Sequence, residues 1–415
     1  MSVINRVQKG IKGLLAGMLV GGGSVSLAHA AVQEISAVFR PDPSNPLNNK
    51  FVNTTQESGI CPGHIPERCK ELGIFSIRTR DILFSNNADI LAGHQSERQG
   101  ATFKVPSDFR DVEVTHTTTG ERQIVQMRIA GIGNRFDIKS SATPNTYAWG
   151  YPYRVWEDAP SPCLPTWFSA VAPNSYVLWF WIVPEDAGAC SLKAITDISD
   201  LDYVNFEYAY ELKTPNPLAM SSGQYTGSIN YSVGPTQDFD FGDVMIPTDT
   251  QLTFNMVLNV EHTLKVEIPP GGHQVELLPQ GGWQAWLNQG RKPTRLFRDQ
   301  TFNVSASSRF KMNLECQYLE ANTCAVRETT SGHSVPLNVS VSLPSGLTDA
   351  NSNPVNRRPL LLDGSGTELF QPGFYVDRKP GQLHFEIARE QVEQMLDGAG
   401  KNYSGQVTVV WDSEV

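Results

Sequence analysis

YSGQVTVVWDSEV, residues 403–415, predicts a β-strand that closes the chain. One face of this segment carries Tyr403, Gly405, Val407, Val409 and Trp411. Alternation with a period of two, rich in β-branched residues, is typical of a half-buried strand. A similar segment, YTGSINYSV, spans Tyr225–Val233, and both contain Tyr-x-Gly-x-(Ile/Val). The pair predicts two β-domains in series, each closing with an equivalent strand; chance similarity is the alternative, since these residues are common in strands.

The composition favours strands and turns over long helices. Charged residues make up only 18% of the 415 residues, which include 34 glycines and 27 prolines. This length suits two or three domains, and two fits the spacing of the repeated motif. The net charge is −10, whereas a nucleic-acid-binding protein typically carries an excess of basic residues. We therefore expect no nucleic-acid partner.

The first thirty residues have the pattern of a secretory signal peptide. A basic start precedes a short apolar core, Leu14–Val20, and a small-x-small cleavage site ends at Ala30. The apolar core is shorter than the ~20 residues that a membrane-spanning helix needs. We expect residues 1–30 to be removed and the protein to be exported, with an uncleaved anchor as the alternative.

Six cysteines follow the cleavage site, and an even number in an exported chain indicates disulfides. Nearest-neighbour pairing is preferred among the fifteen possible connectivities. It would join Cys61 to Cys69, Cys163 to Cys190, and Cys316 to Cys324. A zinc site is the alternative, but the chain contains no Cys-x-x-Cys. We predict no metal site.

The prediction for fold class is all-β, with two immunoglobulin-like β-sandwich domains in series. Many short strands, turns rich in glycine and proline, and cysteines between strands support it. Alternation predicts a β-meander over residues 102–129 and further strands at residues 310–316, 337–343 and 383–387, whereas residues 389–396 have the pattern of a short helix.

Residues 31–245 form the predicted N-terminal domain and residues 250–415 the C-terminal domain. Gly234–Thr250, with two prolines and four aspartates, is the predicted linker. Its carboxylates at Asp238, Asp240 and Asp243 are interpreted as solvated, since the rest of a calcium loop is missing.

Aromatic residues are concentrated in the first domain, where five of the eight tryptophans lie between Trp149 and Trp181. Trp179 and Trp181 belong to a continuous apolar run and are predicted core. The stretch WGYPYRVW and the two acids after it form a candidate ligand-binding loop: Trp149, Tyr151, Tyr153, Arg154, Trp156, Glu157 and Asp158. Aromatic faces beside polar groups suit a sugar ring or a peptide. Packing of the loop against the sandwich explains the same residues.

Catalytic motifs are missing from the sequence. It contains no hydrolase nucleophile elbow, His-Glu-x-x-His, phosphate loop or Rossmann glycine set. His384 and Glu386 lie on an alternating strand and are interpreted as structural. We predict a protein that is not an enzyme and needs no cofactor.

Five segments of the C-terminal half together resemble the pilin domain of chaperone–usher fimbriae: FKMNLEC, EANTC, VPLNVSVSLPSGL, LHFEI and the terminal Tyr-x-Gly-x-Val-x-Val strand. The whole chain resembles a two-domain fimbrial tip adhesin of Gram-negative bacteria. The resemblance covers Leu252–Val415 well, whereas in the N-terminal half it rests on size and architecture. The spacing of Cys316 and Cys324 is narrower than in many pilins.

The resemblance implies an incomplete C-terminal sandwich that needs a donated strand. A periplasmic chaperone would supply it first, and the adjacent fimbrial subunit would replace it at the outer-membrane usher. The chaperone would hold the carboxylate of Val415 and pair with the last strand, through Tyr403, Val407, Val409 and Trp411. The mature protein would reach the fimbrium on the cell surface through the periplasm.

The resemblance also implies that the N-terminal domain binds a host glycan or surface protein. A structural minor pilin or adaptor without a receptor is the alternative, and a secreted hydrolase is a weaker one. An adaptor needs an unpaired donor strand at its N-terminus. The opening segment AVQEISAVF is short and runs directly into a domain, which favours the tip position.

Overall fold

The computed structural model describes residues 31–139, 147–150, 154–172, 175–397 and 401–413; the predicted signal peptide lies outside them. The fold is all-β, with two β-domains in series and five short α-helices in the described residues. Each of the two domains has its own hydrophobic core. No helix in these ranges is both long and apolar enough to span a membrane.

In its described residues the first domain contains fifteen strands and three short helices. The strands are β1 Ala31–Phe39, β2 Val52–Asn53, β3 Phe75–Thr79, β4 Phe84–Asn86, β5 Ala101–Phe103, β6 Arg110–His116, β7 Arg122–Ile138, β8 Leu164–Ala172, β9 Tyr176–Ile182, β10 Cys190–Leu192, β11 Leu201–Tyr203, β12 Phe206–Lys213, β13 Gly223–Ser232, β14 Met245–Pro247 and β15 Gln251–Val260. The helices are α1 Ile60–Gly63, α2 Pro66–Leu72 and α3 Val155–Asp158.

Thirteen of these strands form one curled sheet around β7, which is 17 residues long. The main path is β14-β4-β11-β7-β6-β13-β15-β1-β2, while β9 and β12 also pair with β7. The predicted meander is confirmed, because β6 and β7 pair antiparallel from Arg110 opposite Met127 to Thr115 opposite Arg122. The predicted apolar strand is also confirmed, as β9 pairs with β7 and is buried over its last four residues.

The first domain extends beyond the predicted boundary at residue 245. Strand β15 pairs with β1 in parallel and with β13 antiparallel, so the sheet continues to Val260. Within the predicted linker, Phe239, Phe241 and Met245 are buried in the core. The linker prediction is wrong because its apolar residues, spaced among aspartates and glycines, find partners that are distant in sequence.

The aspartates of the same segment are paired rather than solvated. Asp240 and Asp243 both accept hydrogen bonds from Arg98, at 2.6 and 2.7 Å for the shortest contacts. Asp238 accepts one from Arg110 at 2.8 Å. The carboxylates therefore fasten the segment to the first domain.

The second domain contains twelve strands and two helices. The strands are β16 Leu264–Glu267, β17 Leu296–Ala306, β18 Lys311–Cys316, β19 Leu319–Glu320, β20 Thr323–Glu328, β21 Ser334–Ser342, β22 Leu347–Asp349, β23 Arg358–Pro359, β24 Phe370–Pro372, β25 Val376–Ile387, β26 Tyr403–Ser404 and β27 Val407–Asp412. The helices are α4 Gln284–Gln289 and α5 Arg389–Met395, of which the sequence predicted α5.

Two layers enclose the core of this domain. The larger sheet follows the order β16-β17-β25-β21-β20-β19, and the smaller one consists of β18 and β27. Phe302, Met312, Leu337 and Phe385 are among the buried residues between the layers. Layers packed in this way form a β-sandwich.

Three disulfides join the cysteines in nearest-neighbour pairs. Cys61–Cys69 links α1 to α2, and Cys163–Cys190 joins two segments of the first domain. Cys316–Cys324 ties β18 of the smaller sheet to β20 of the larger one. The last disulfide therefore connects the two layers of the second domain.

Candidate functional site

The last strand, β27, pairs with β18 alone among the described strands. The register runs from Lys311 opposite Asp412 to Cys316 opposite Val407. One step further, the Gln317 N–H donates to the Gln406 carbonyl at 2.9 Å. In an antiparallel pair only alternate residues exchange hydrogen bonds. Because Gln406 is one of the hydrogen-bonded residues, the N–H and C=O groups of residues 407, 409 and 411 point away from β18.

The side chains of those same residues belong to the core. The Trp411 ring lies 5.0 Å from that of Phe302 and 5.6 Å from that of Phe310, between centroids. Val407, Val409 and Trp411 pack against the core yet stay partly exposed. Their neighbours Met312 and Leu314 on β18 are buried. We call the outer edge of β27, formed by Val407, Val409 and Trp411, the acceptor edge.

The acceptor edge lies on the same side of the sandwich as β16. The Cys316–Cys324 disulfide holds β18 over β20, whereas Trp411 of β27 packs on Phe302 of β17. Strand β17 is the neighbour of β16 at the end of the larger sheet. Leu264 and Val266 of β16 are also only partly buried and pack on the same core. Apolar side chains thus line the space between the two layer edges.

Tyr403, another predicted chaperone contact, lies away from the acceptor edge. Tyr403 belongs to β26, which pairs with β20, so that Tyr403 lies opposite Glu328. Its hydroxyl lies 2.9 Å from His333 Nδ1. The predicted continuous strand is therefore interrupted at Gly405 and Gln406, and Tyr403 is not part of the acceptor edge. Val415 lies outside the described residues.

The tryptophans of the predicted ligand-binding loop are core residues in the structure. Trp149 is 4% exposed and Trp156 is 1% exposed. Their ring centroids are 5.3 Å apart, and Trp156 stacks on Trp181 at 5.4 Å. The Trp181 indole also donates to the Trp156 carbonyl at 2.7 Å. Packing, the alternative interpretation, therefore accounts for these two rings, because the aromatic cluster of β7 and β9 surrounds them.

The polar members of that loop lie at the surface. Arg154 and Asp158 are exposed. Glu157 is half-buried, and its carboxylate accepts a hydrogen bond from the Ser169 hydroxyl of β8 at 2.9 Å. Tyr151 and Tyr153 lie outside the described residues. The structure thus separates the buried rings of the predicted site from its polar groups.

One tryptophan of the same region was not among the predicted site residues. Trp167 on β8 is 72% exposed, whereas the other four tryptophans between residues 149 and 181 are buried. Its neighbours Pro165 and Thr166 interrupt the apolar pattern of the surrounding sequence. That interruption is the signal that could have separated Trp167 from the core tryptophans.

A polar cleft of about 540 Å³ lies beside the segment that follows β5. Its lining includes Lys104, Asp108, Arg110 and Asp238. Arg110 is already paired with Asp238 at 2.8 Å and with Asp108 at 3.4 Å. These internal pairs satisfy most of the charge of the cleft. Among the described residues no cluster of three His, Cys, Asp or Glu side chains could hold a metal ion.

No protein-family model and no curated protein matches the chain. Among solved structures it is similar to CfaE, the adhesive subunit of CFA/I fimbria of enterotoxigenic Escherichia coli, with 10% identity over 92% of each chain and a TM-score of 0.25. It is also similar to a chain of the CsuC–CsuE chaperone–tip adhesion subunit complex from the archaic chaperone–usher Csu pili of Acinetobacter baumannii. There the identity is 10%, over 92% of this chain and 98% of that chain, and the TM-score is 0.22.

Proposed function

We propose that this protein is the tip adhesin of a chaperone–usher fimbria. The acceptor edge carries this proposal. Its backbone groups point away from β18, which among the described strands is the one that pairs with β27, and its core side chains remain partly exposed. A strand added between β27 and β16 would pair with these backbone groups and cover these side chains. Such addition of an extended segment to a sheet edge is a common mode of recognition.

The energy available from strand addition explains why the domain would depend on a partner. A donated strand that buries four or five apolar side chains contributes about 6 to 15 kcal/mol. An ordinary domain has a total stability of about 5 to 15 kcal/mol. The donated strand therefore decides whether the second domain is stably folded. In the periplasm the donor would be a chaperone, and in the fimbria it would be the adjacent subunit after exchange at the usher.

The pairing of β1 supports the tip position over that of an adaptor. All nine residues of β1 pair with β15, and Ala37 and Val38 also pair with β2. Ile35 and Phe39 are buried in the first core. A strand held in this way is not available for donation to another subunit. The first domain would instead bind a ligand on the host surface, a glycan in our proposal, without catalysing a reaction.

The test adds a donor strand to the full chain. A nine-residue segment of alternating valine and threonine is fused after residue 415 through a flexible turn. Thermal unfolding of the exported proteins is then measured. The matched control shifts the alternation by one residue, which turns the apolar side chains to the other face. We expect a new or strongly raised unfolding transition only with the correct alternation. Identical melting of the unfused chain and both fusions, with two cooperative transitions, would refute the proposal.

A further inference from the structure

Trp167 combines exposure with an unfavourable backbone conformation. Its side chain is 72% exposed, and its φ angle is +59°. A bulky residue with positive φ is an outlier, since the side chain approaches its own backbone. Trp167 lies where the pairing of β8 with β9 shifts register, between Pro165 and Ser169. The indole is therefore displayed on a bulge, at a position where glycine or asparagine would be favoured.

Both neighbours of Trp167 hold the bulge in place. The buried Thr166 hydroxyl donates to the Phe180 carbonyl at 2.6 Å. The Phe168 ring packs against the cluster under α1 and α2, and its centroid lies 4.4 Å from that of His64. The chain is thus fastened on each side of the tryptophan. An outlier of this kind that contributes little to the core points to a contact outside the chain.

Helix α3, which is hydrogen-bonded to the strand of the exposed ring, carries two acidic side chains. Helix α3 is joined to β8 by the hydrogen bond from Ser169, two residues beyond Trp167, to Glu157. That bond fixes the Glu157 carboxylate, and the exposed Asp158 follows on the same helix. Carboxylate oxygens accept hydrogen bonds from hydroxyl groups and repel other anions. An exposed aromatic face on β8, together with carboxylates on the helix that is hydrogen-bonded to β8, suits an uncharged polyhydroxylated ring.

We infer that Trp167 is the aromatic platform of the ligand-binding surface and stacks on the apolar face of a neutral hexopyranose. Glu157 and Asp158 accept hydrogen bonds from the hydroxyl groups of the sugar. The inference rests on the proposed adhesin function and names the chemical class of its ligand. It assigns to Trp167 the stacking role that the sequence suggested for Trp149 and Trp156.

The experiment measures binding of the full exported chain to an array of neutral and sialylated glycans. Trp167→Ala should weaken binding to neutral glycans about tenfold, the loss expected when one stacked ring is removed. Its melting temperature should change by less than about 2 °C, because the side chain is exposed. Trp167→Gly should bind as weakly and melt slightly higher, since glycine accepts the positive φ.

Two control variants separate binding from folding. Leu164→Ala removes a side chain that is 49% exposed on the same strand, and it should bind like the unchanged protein. Trp156→Ala removes a core ring and should lower the melting temperature clearly. Unchanged glycan binding by Trp167→Ala, or a melting shift as large as that of Trp156→Ala, would overturn the inference. So would exclusive binding of the unchanged chain to sialylated glycans or to none, whereas the donor-strand test would be unaffected.

Discussion

Strands β13 and β27 begin from nearly the same motif and end in different surroundings. Strand β13, which contains the first eight residues of YTGSINYSV, is paired over all ten of its residues with β15 and also at Tyr225 and Thr226 with β6. YSGQVTVVW of β26 and β27 reaches β20 and then β18, and no other described strand pairs with β27. Tyr225 and Tyr231 are fully buried, whereas Trp411 remains partly exposed. Similar sequences thus form one strand that is paired on both edges and another that is paired on one edge among the described strands.

The glycine of the shared motif lies close to a neighbouring backbone in both segments. A Cβ atom on Gly227 would lie 2.2 Å from the carbonyl oxygen of Glu113 on β6. A Cβ atom on Gly405 would lie 2.8 Å from that of Ala325 on β20. Each glycine permits the close approach of a neighbouring strand. The motif therefore indicates that two backbones lie close together. It does not indicate whether the outer edge of the strand is paired.

The largest effect that we expect comes from deleting residues 406–415. The deletion removes β27, the acceptor edge and the ring that packs on Phe302. A chaperone would then have no strand to pair with, and the protein should disappear from the periplasm, as judged by immunoblot. Thr408→Ala, at an exposed position of the same strand, should accumulate normally. Stable accumulation of the deletion variant in a chaperone complex would contradict the proposed role of β27.

A matched pair of substitutions compares the two strands directly. Tyr231→Ala removes a fully buried ring and should cost about 3 to 5 kcal/mol, whether or not a donor strand is fused. Trp411→Ala should cost clearly less in the unfused chain and approach the same range once a fused strand covers the ring. Chemical denaturation of the four variants and of the two parent chains, unfused and fused, measures these costs. Equal costs of Trp411→Ala with and without the donor would show that β27 is already in its final environment.

Substitution of the two glycines should give a smaller difference. Gly227→Ala forces β6 and β13 apart, and overpacking of this kind costs about 1 to 3 kcal/mol. Gly405→Ala meets its nearest backbone atom at a longer distance and should cost less. Thermal melting of each variant provides the comparison. A larger loss for Gly405→Ala would indicate that the crossing at β20 is the tighter one.

The smallest expected effect concerns acid. Hydrogen bonds from Ser331 and Thr330 lower the pKa of Glu328, opposite Tyr403, to about 2. Burial acts to raise the pKa of Glu121, near Tyr225, but hydrogen bonds from Ser221, Gln123 and Tyr225 outweigh it and leave the pKa below its ordinary value.

A carboxylate with a depressed pKa in the folded state adds stability above its ordinary value of 4.5, and this contribution is lost as the pH falls toward the folded value. Melting temperatures between pH 5 and pH 2 should therefore fall, for Glu328 over the whole interval from 4.5 to 2. Glu328→Gln should flatten this dependence in the second domain and Glu121→Gln in the first. An unchanged pH profile in both variants would exclude these carboxylates as its source.

Local patterns predicted the individual strands well. Alternation predicted β6, β7, β18, β21 and β25, and the apolar run predicted β9, because a strand has to turn one or both faces to a core. The same reasoning failed at residues 234–250. There, Phe239 and Phe241 are isolated among turn-forming residues, and only the folded neighbours on other strands show that they are buried.

The aromatic segment shows a second limit. Composition places Trp149, Trp156 and Trp167 in one short region, and the prediction assigned ligand binding to the first two but not to Trp167. In the structure the first two complete the cluster around Trp181, while the third stands on a bulge at positive φ. The exposure of Trp167 depends on the register between β8 and β9, which shifts between Pro165 and Ser169. The interruption at Pro165 and Thr166 marks this place in the sequence, but the register itself is set by the partner strand β9.

The sequence by itself determined that this protein is built from β-strands, that its six cysteines can form three disulfides, and that its last strand has one apolar face. These properties follow from alternation, side-chain chemistry and spacing along the chain. The tertiary structure decided that β15 belongs to the first domain, that Tyr403 and Val407 pair with different strands, and that the outer edge of β27 remains unpaired in the described residues. The reason is physical: a strand carries its own pattern of side chains, but its hydrogen-bonding partners are supplied by segments far away in sequence.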